Sequence, residues 1–323
     1  MDHDGRVPGV DVIIPNLDGA ALLERCLAAL EQQTMPPARV IVVDNGSTDG
    51  SRQVVERTVA EWLPLGRNAG FPAAVNAGIR VATAPYVALL NNDAYAEPDW
   101  LAQIVAALEH DPAISFAASR MVFTRDRGIN AAGDAFDVRG RGGYNRGIFE
   151  PDGPRFDEAR IVFGACAGAA LYRRRLFDEV GLFDEEFFLS WEDIDLDLRA
   201  TLAGHRCLYV PRAVVYHDQG ASSGLDRRAL ERRNKARLAL RDLPLPLLGL
   251  YLVLLPVREA RDTRAAGEGL RDYAARLSPY ASEAGWAIRR RGTITRKVPL
   301  RELWPVLTRE SLPYGGAPRD TAR

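Results

Sequence analysis

Three apolar runs, Val10–Ile14, Arg39–Val43 and Tyr86–Leu90, each stop at a polar residue: Asn16 just past Pro15, Asp44, and Asn91-Asn92-Asp93. Segments of helical period separate and follow them. Ala20–Gln33 spaces Leu22, Leu23, Leu27 and Leu30 along one face, and Ser51–Ala60, Ala73–Val81 and Pro98–Glu109 also suit helices. Pro98 would stand near the first helical position, with Asp99 in the acid-favoured first turn. A further strand is expected over Ile114–Ala118, a short helix over Ile194–Ala203 and a strand over Arg206–Tyr216. This alternation predicts βαβ units, and so an α/β fold with a mostly parallel sheet flanked by helices. Open sheets of that kind bind ligands at the carboxyl ends of their strands, where Asn16, Asp44 and Asp93 fall.

The chain has 323 residues, enough for one large α/β unit and an appendage. With 47% hydrophobic and 26% charged residues it is not a disordered chain. A formal net charge of -1 hides a strong asymmetry. Residues 1–226 hold 21 Lys and Arg against 33 Asp and Glu, whereas residues 227–323 hold 21 against 10. We expect an α/β unit over 1–226, with one half at about 10–120 and another at about 121–226, then a basic helical extension over 227–323. Thr124–Arg160, rich in Gly, Arg and Asp and without a clean period, reads as loops and short strands. Cys26, Cys166 and Cys207 form no CxxC pattern, which implies neither disulfides nor zinc and suits a reducing cytosol. Met1–Gly9 lacks the apolar core of a signal peptide. The longest apolar stretch, Leu243–Val257, is shorter than the about 20 residues of a spanning helix and contains Pro244, Pro246 and Pro256.

Four places carry chemistry. Asp44, opening Asn45-Gly46-Ser47-Thr48-Asp49-Gly50, is either the acceptor for the N3–H of a uracil or thymine ring or an ordinary Asx turn. Asp93 ends a hydrophobic strand and either helps to hold a divalent cation, with Mg²⁺ or Mn²⁺ suited to oxygen ligands and a diphosphate, or closes a turn. Trp191-Glu192-Asp193-Ile194-Asp195-Leu196-Asp197-Leu198-Arg199 crowds four acids at a helix start. Asp195 can pair with Arg199 at i,i+4, which leaves Glu192 or Asp193 as a candidate general base, against the alternative of an acid-capped surface helix. His217 follows an apolar run, near Gly220 and Ser222-Ser223, and is either a metal ligand or structural.

These residues occur in an order that resembles the family 2 inverting glycosyltransferases of GT-A (Rossmann-like) fold. The motifs are Val12-Ile13-Ile14-Pro15-Asn16, the Asp44 turn, Arg67-Asn68-Ala69-Gly70-Phe71 with Asn76, Leu90-Asn91-Asn92-Asp93, Gly164 to Ala170, and Trp191-Glu192-Asp193. Within the family the pattern is similar to the rhamnosyltransferase branch, which builds bacterial cell-surface polysaccharides. The likeness covers about Val10 to Asp226. It implies that Pro15, Asn16 and Asp44 line the nucleotide pocket and that Asn68, Gly70, Phe71, Asn76 and Asn92 shape the nucleotide and diphosphate side. It implies Asp93 and His217 as ligands of Mn²⁺ or Mg²⁺, and Asp193, beside Glu192, as the catalytic base. Gly164, Ala165, Cys166, Ala167, Gly168 and Trp191 would floor the acceptor and donor sugar. The implied reaction is one displacement with inversion: Asp193 takes the acceptor hydroxyl's proton while the nucleoside diphosphate leaves. Asn91-Asn92-Asp93 departs from the family's usual double acid, Leu17-Asp18-Gly19 from an aromatic-Asn-Gly, and Pro72 stands where a small residue is common.

The donor expected from the branch is dTDP-rhamnose, with a UDP-sugar (galactose, glucose or an amino sugar) as the alternative. The acceptor expected is a glycan or a polyprenyl-linked glycan. The tail, with Arg227, Arg228, Arg232, Arg233, Lys235, Arg237 and Arg241 ahead of the apolar stretch, fits either a helix on an anionic membrane surface or a helical hairpin packed on the α/β unit or on a second subunit. The expected place is the cytoplasm, peripherally on the inner face of the plasma membrane. A nucleotidyltransferase would carry a basic Gly-rich loop after the first strand, and Asn16-Leu17-Asp18-Gly19 has no Lys or Arg. A non-catalytic sugar-nucleotide-binding protein would not need Glu192-Asp193. No DNA-binding motif accompanies the basic tail.

Overall fold

The computed structural model describes residues 8–218 and 227–315; Gly220, Ser222 and Ser223 lie outside them. The first part runs β1 (Val10–Asn16), α1 (Ala20–Glu31), β2 (Arg39–Asp44), α2 (Ser51–Val55), β3 (Glu61–Pro64), α3 (Phe71–Val81) and β4 (Tyr86–Leu90). Next come β5 (Ala94–Ala96), α4 (Trp100–His110), β6 (Ile114–Phe123), β7 (Ile129–Ala132), β8 (Asp134–Asp137), β9 (Gly142–Asn145), β10 (Arg160–Val162) and β11 (Ala169–Arg173). After α5 (Arg175–Val180), α6 (Glu192–Ala203) and β12 (Arg206–His217) the chain turns helical: α7 (Arg227–Asp242), α8 (Leu245–Ala265), α9 (Leu270–Ser282), α10 (Ala284–Arg290) and α11 (Leu300–Val306), closed by β13 (Leu312–Pro313).

The large sheet has the order β13-β10-β12-β6-β11-β4-β1-β2-β3, with β5 on β12 and β7 on β6. Pairing is parallel across β4-β1-β2-β3 and again between β6 and β12. Strand β11 enters antiparallel between β4 and β6 and joins the two halves. The central strands are buried on both faces, which is why they read as unbroken apolar runs. In β1, Val12 and Ile14 pack with Leu23, Leu27 and Trp100 of α1 and α4, while Ile13 packs with Val75 and Ile79 of α3 on the other face.

Two segments differ from expectation. The helix read over Ser51–Ala60 stops at Val55, where the Thr58 hydroxyl donates to the Val55 carbonyl at 2.9 Å. Glu61–Pro64 then forms an edge strand on β2, pinned by two 2.7 Å bonds from Arg39 to the Glu61 carboxylate. Strand pairing outweighs a weak local preference there. Pro98 precedes the cap of α4 and Asp99 is the N-cap itself. Thr124–Arg160 does carry short strands, β7, β8 and β9.

The basic extension is built against α6. Leu238 of α7, Leu243 just past its end, Leu247, Tyr251 and Leu255 of α8 and Leu303 of α11 share a third core with Phe136, Phe163, Ile194, Leu198 and Leu202. Many of its cations face inward: Lys235 pairs with Glu259 at 2.5 Å, and Arg237 with Glu283 at 2.7 Å. A different face of α8 is open, with Leu245, Val253 and Val257 between 53% and 73% exposed.

Candidate active site

The parallel register sets Asn16 beside Asp44 at the carboxyl ends of β1 and β2. Asp44 accepts from the backbone N–H groups of Gly46 at 3.0 Å and Ser47 at 3.0 Å, and from the Ser47 hydroxyl. Its carboxylate therefore already serves the turn, and a base would draw on its remaining lone pairs. Asn16 donates to the Ser47 hydroxyl at 3.2 Å and accepts from Asn92 at 2.7 Å. The second residue of Asn91-Asn92-Asp93 is thus an amide used to tie β4 to β1, a task an ionised acid could not perform toward the Asn16 carbonyl oxygen.

The Asn68–Phe71 loop is sewn to the Asp44 turn. Asn45 donates to the Gly70 carbonyl at 3.3 Å and accepts from Ala69 N–H at 3.2 Å. Asn68 accepts from Gly70 N–H at 3.0 Å. Gly70 needs its φ of 90°, and any Cβ there would sit 2.5 Å from the Phe188 carbonyl oxygen. Asn76 does not face this loop; it is buried and bonds Phe183 and Glu185, so it fixes α3 to the segment that leads into α6.

Asp93 and His217 come together, with His217 Nε2 3.0 Å from Asp93 Oδ1. Both are buried. His217 Nδ1 lies 3.1 Å from the Asn130 side-chain oxygen, an acceptor, so Nδ1 carries the proton. Nε2 and the Asp93 carboxylate oxygen, 3.0 Å apart, can share either a proton on the ring or a cation that both ligate. One imidazole and one carboxylate with no third His, Cys, Asp or Glu among the described residues is a donor set that leaves positions for water and phosphate oxygens. These residues fit a divalent cation.

Glu192 and Asp193 open α6. The backbone reaches them through left-handed conformations at Phe188, Ser190 and Trp191, with φ of 64°, 68° and 74°. Such residues cost about 1–3 kcal/mol each and persist only where the surroundings hold them. Asp193 is half-buried; it accepts from Ile194 N–H at 2.8 Å and faces Ala167 N–H at 3.5 Å. Burial raises its pKa above the ordinary aspartate range, partly offset by those N–H groups. Glu192 is buried, and burial together with the neighbouring Asp193 pushes it up to about 8. Its Oε2 has no hydrogen-bond partner among the described residues. Behind them Asp197 accepts from Ala165 N–H at 3.1 Å and faces Asp134; burial raises both acids well above the usual range. Gly164 is required here, because a Cβ would stand 1.7 Å from the Asp197 carboxylate. Asp195 does pair with Arg199, at 2.7 Å.

The Gly164–Gly168 loop joins the two acidic centres. Ala167 faces Asp193, while the Gly168 carbonyl accepts from Asn91 N–H at 2.9 Å, next to Asp93 and His217. Cys166 is half-buried with its thiol pKa raised by burial, and Trp191 packs over Gly142. Asn130, Asp134 and Asp197 were not foreseen in these roles. A single Asn or Asp inside the small apolar run Ile129-Asn130-Ala131-Ala132-Gly133-Asp134 was the available signal.

At pH 7 Glu192 is mainly protonated, so Glu192→Gln, which keeps shape and neutrality, should hold kcat within about threefold. A folded-state pKa raised above the unfolded value of about 4.3 means stability present at low pH and lost as pH rises toward 8. Glu192→Gln should therefore melt like the wild type at pH 4 and above it at pH 9, by on the order of a few kcal/mol. Thermal melts at the two pH values check this.

The sequence matches the model of glycosyl transferase family 2 over residues 11–181. An N-acetylglucosaminyl-diphospho-decaprenol L-rhamnosyltransferase of Mycobacterium tuberculosis is 32% identical over 233 residues, covering 63% of this chain and 74% of that protein. In fold the chain is similar to TarS 1-349 of S. aureus in complex with UDP-GlcNAc, at TM-score 0.60 and 17% identity over 85% of this chain and 81% of that one. It is similar also to the mannosyltransferase PcManGT from Pyrobaculum calidifontis in complex with GDP-Man and Mn²⁺, at TM-score 0.54 and 19% identity over 94% and 88%. The α/β sheet with its helical extension is thus the fold of glycosyltransferases. The chain belongs to glycosyl transferase family 2 and is a glycosyltransferase.

Proposed function

We propose that the protein moves a sugar from a nucleoside diphosphate donor to a hydroxyl of a glycan or lipid-linked glycan acceptor, with inversion, in cell-surface polysaccharide synthesis. The donor we favour is dTDP-rhamnose, on the likeness to the rhamnosyltransferase. A UDP-sugar is the alternative, on the fold neighbour that holds UDP-GlcNAc. The observation that carries the reading is the loop Gly164–Gly168, which puts Asp193 at one end and the Asp93–His217 pair at the other.

The Asp44 turn and the Asn68–Phe71 loop hold the nucleotide. Asp193, its pKa raised, accepts the proton of the acceptor hydroxyl as that oxygen attacks the anomeric carbon from the face opposite the diphosphate. Glu192, protonated, keeps a second negative charge away from the attacking oxygen. Asp93 and His217 would hold a divalent cation, Mn²⁺ or Mg²⁺, which when bound offsets the charge developing on the leaving diphosphate. Small residues at Gly164, Ala165, Ala167 and Gly168 let the substrate approach the backbone.

Calorimetry with dTDP and UDP, each with Mn²⁺, Mg²⁺ or EDTA, tests the donor side. Nucleotide binding that needs the cation and falls at least tenfold in Asp93→Ala is expected; no binding of either nucleotide under any condition would refute the assignment.

We propose further that the open face of α8, with Leu245, Val253 and Val257 near exposed Arg261 and Arg264, meets an anionic membrane. Among the described residues no helix is long and apolar enough to cross one. Cosedimentation with anionic liposomes at low salt should be lost in Val253→Glu. A dimer covering that face would instead appear as a doubled mass without lipid.

A further inference from the structure

The Arg-rich extension has one residue whose chemistry the reading above does not use. Asn234, on α7, is fully buried. Its side-chain nitrogen lies 2.9 Å from the Phe187 carbonyl oxygen, 3.0 Å from that of Leu189 and 2.7 Å from that of Ser190. Its side-chain oxygen accepts from Arg233 Nε at 3.1 Å, which sets the direction of the amide. Arg233 also donates to the Phe187 carbonyl, at 3.2 Å.

The three carbonyls belong to the 187–191 segment that leads into Glu192-Asp193, in which Phe188, Ser190 and Trp191 have positive φ. Every carbonyl of that stretch is used. Phe188 accepts from Phe71 N–H at 2.8 Å, on the nucleotide side, and Trp191 accepts from Asp195 N–H at 3.0 Å, within α6. Phe187 also accepts from Leu189 N–H at 2.7 Å, so the carbonyls of Leu189 and Ser190 are the ones that depend on the two N–H groups of the Asn234 amide. Buried carbonyls without donors are costly, and this backbone is strained, so the amide is what makes its path stable. A carboxylate at 234 could not donate and a hydrocarbon could not bond, so the residue type is explained by the task.

We propose that Asn234 is a positioning residue for the transfer reaction, holding the 187–191 loop so that Asp193 stands at the reacting hydroxyl. The inference rests on Asp193 as the base. It assigns the extension a part in the chemistry: α7 supplies the side-chain donors for the Leu189 and Ser190 carbonyls. Misplacement of a catalytic group by about 1 Å can cost 10²-fold in rate.

The test uses the full chain with Asn234→Ala. Hydrogen exchange across residues 188–193 should rise at least tenfold while β1 and β4 stay as protected as in the wild type. With dTDP-rhamnose as donor, kcat should fall 10- to 100-fold and the donor KM should change less than threefold. Unchanged exchange in 188–193 would overturn the proposal, as would an unchanged kcat or a loss confined to KM. If Asn234→Ala does not fold, Arg233→Ala, whose side chain is half-exposed, carries the test with a smaller rise in the same segment, and no rise overturns it. Asp193→Asn, assayed alongside, separates the two readings: if it keeps the wild-type kcat the base assignment fails and the positioning role with it, and the exchange result then decides only whether Asn234 holds the loop.

Discussion

Replacing Asp193 by Asn should lower kcat by about 10²–10⁴-fold while leaving nucleotide affinity within about twofold. Asn preserves the side chain's shape and can still accept the 2.8 Å bond from Ile194 N–H, so the start of α6 should stay in place. What is lost is the basic oxygen facing the Gly164–Gly168 loop. Because burial raises the Asp193 pKa, the wild-type rate should fall as pH drops through a value above the ordinary aspartate range, and this limb should be absent in the variant. Steady-state rates from pH 4 to 8, with calorimetric binding of dTDP as the control, check both statements. Transfer at the wild-type rate would remove Asp193 from the mechanism.

The largest effect on stability is expected at Arg241. Its guanidinium is buried and bonds Asp184 and Asp195, and reaches Asp242 at 2.5 Å and 3.1 Å. Asp195 in turn holds Arg199, which donates to the Leu182 carbonyl at 2.9 Å. Arg241 therefore fastens α7 to α6 and to the segment before the strained loop. Removing one member of a buried charge network leaves its partners uncompensated, at a cost of about 3–5 kcal/mol. Arg241→Ala should melt roughly 10 °C lower at pH 7, on the scale of 2–4 °C per kcal/mol for large domains. The deficit should shrink at pH 4, where the stranded carboxyls can take up protons. A variant as stable as the wild type at pH 7 would mean that water replaces the guanidinium, and that α7 is held by its apolar contacts alone.

Much of the architecture was legible because the central strands are buried on both faces. Val10–Ile14 and Tyr86–Leu90 had no register to choose, so apolar runs and strand ends coincide closely with β1 and β4. The edge strand Glu61–Pro64 was not legible: its stability comes from β2 and from Arg39, 22 residues away. The motifs also named residues that the fold brings together, Asn16 with Asp44 and Asp93 with His217. They did not say how each residue is spent there. Asn76 braces α3, Asn92 ties two strands, and Asp44 is occupied by its own turn. In a line of letters these polar residues look alike; which of them meet a ligand depends on what other donors stand nearby.

The sequence by itself determined the α/β class, the strand ends where chemistry gathers, the family and the acidic pair at the head of α6. These follow from local period and from the order of short motifs, both of which are written along the chain. Only the tertiary structure decided that His217 meets Asp93 across 124 residues, that Asn130 stands against its ring, and that burial raises the pKa of Glu192 beside Asp193. It also decided the fate of the basic tail. A run of arginines records charge but not direction, and the solvent, a membrane and the carbonyls of a buried loop would all accept it. Packing of Leu238, Leu247 and Tyr251 against Ile194 and Leu198 turned that helix inward, and so placed Asn234 on the loop that carries Asp193.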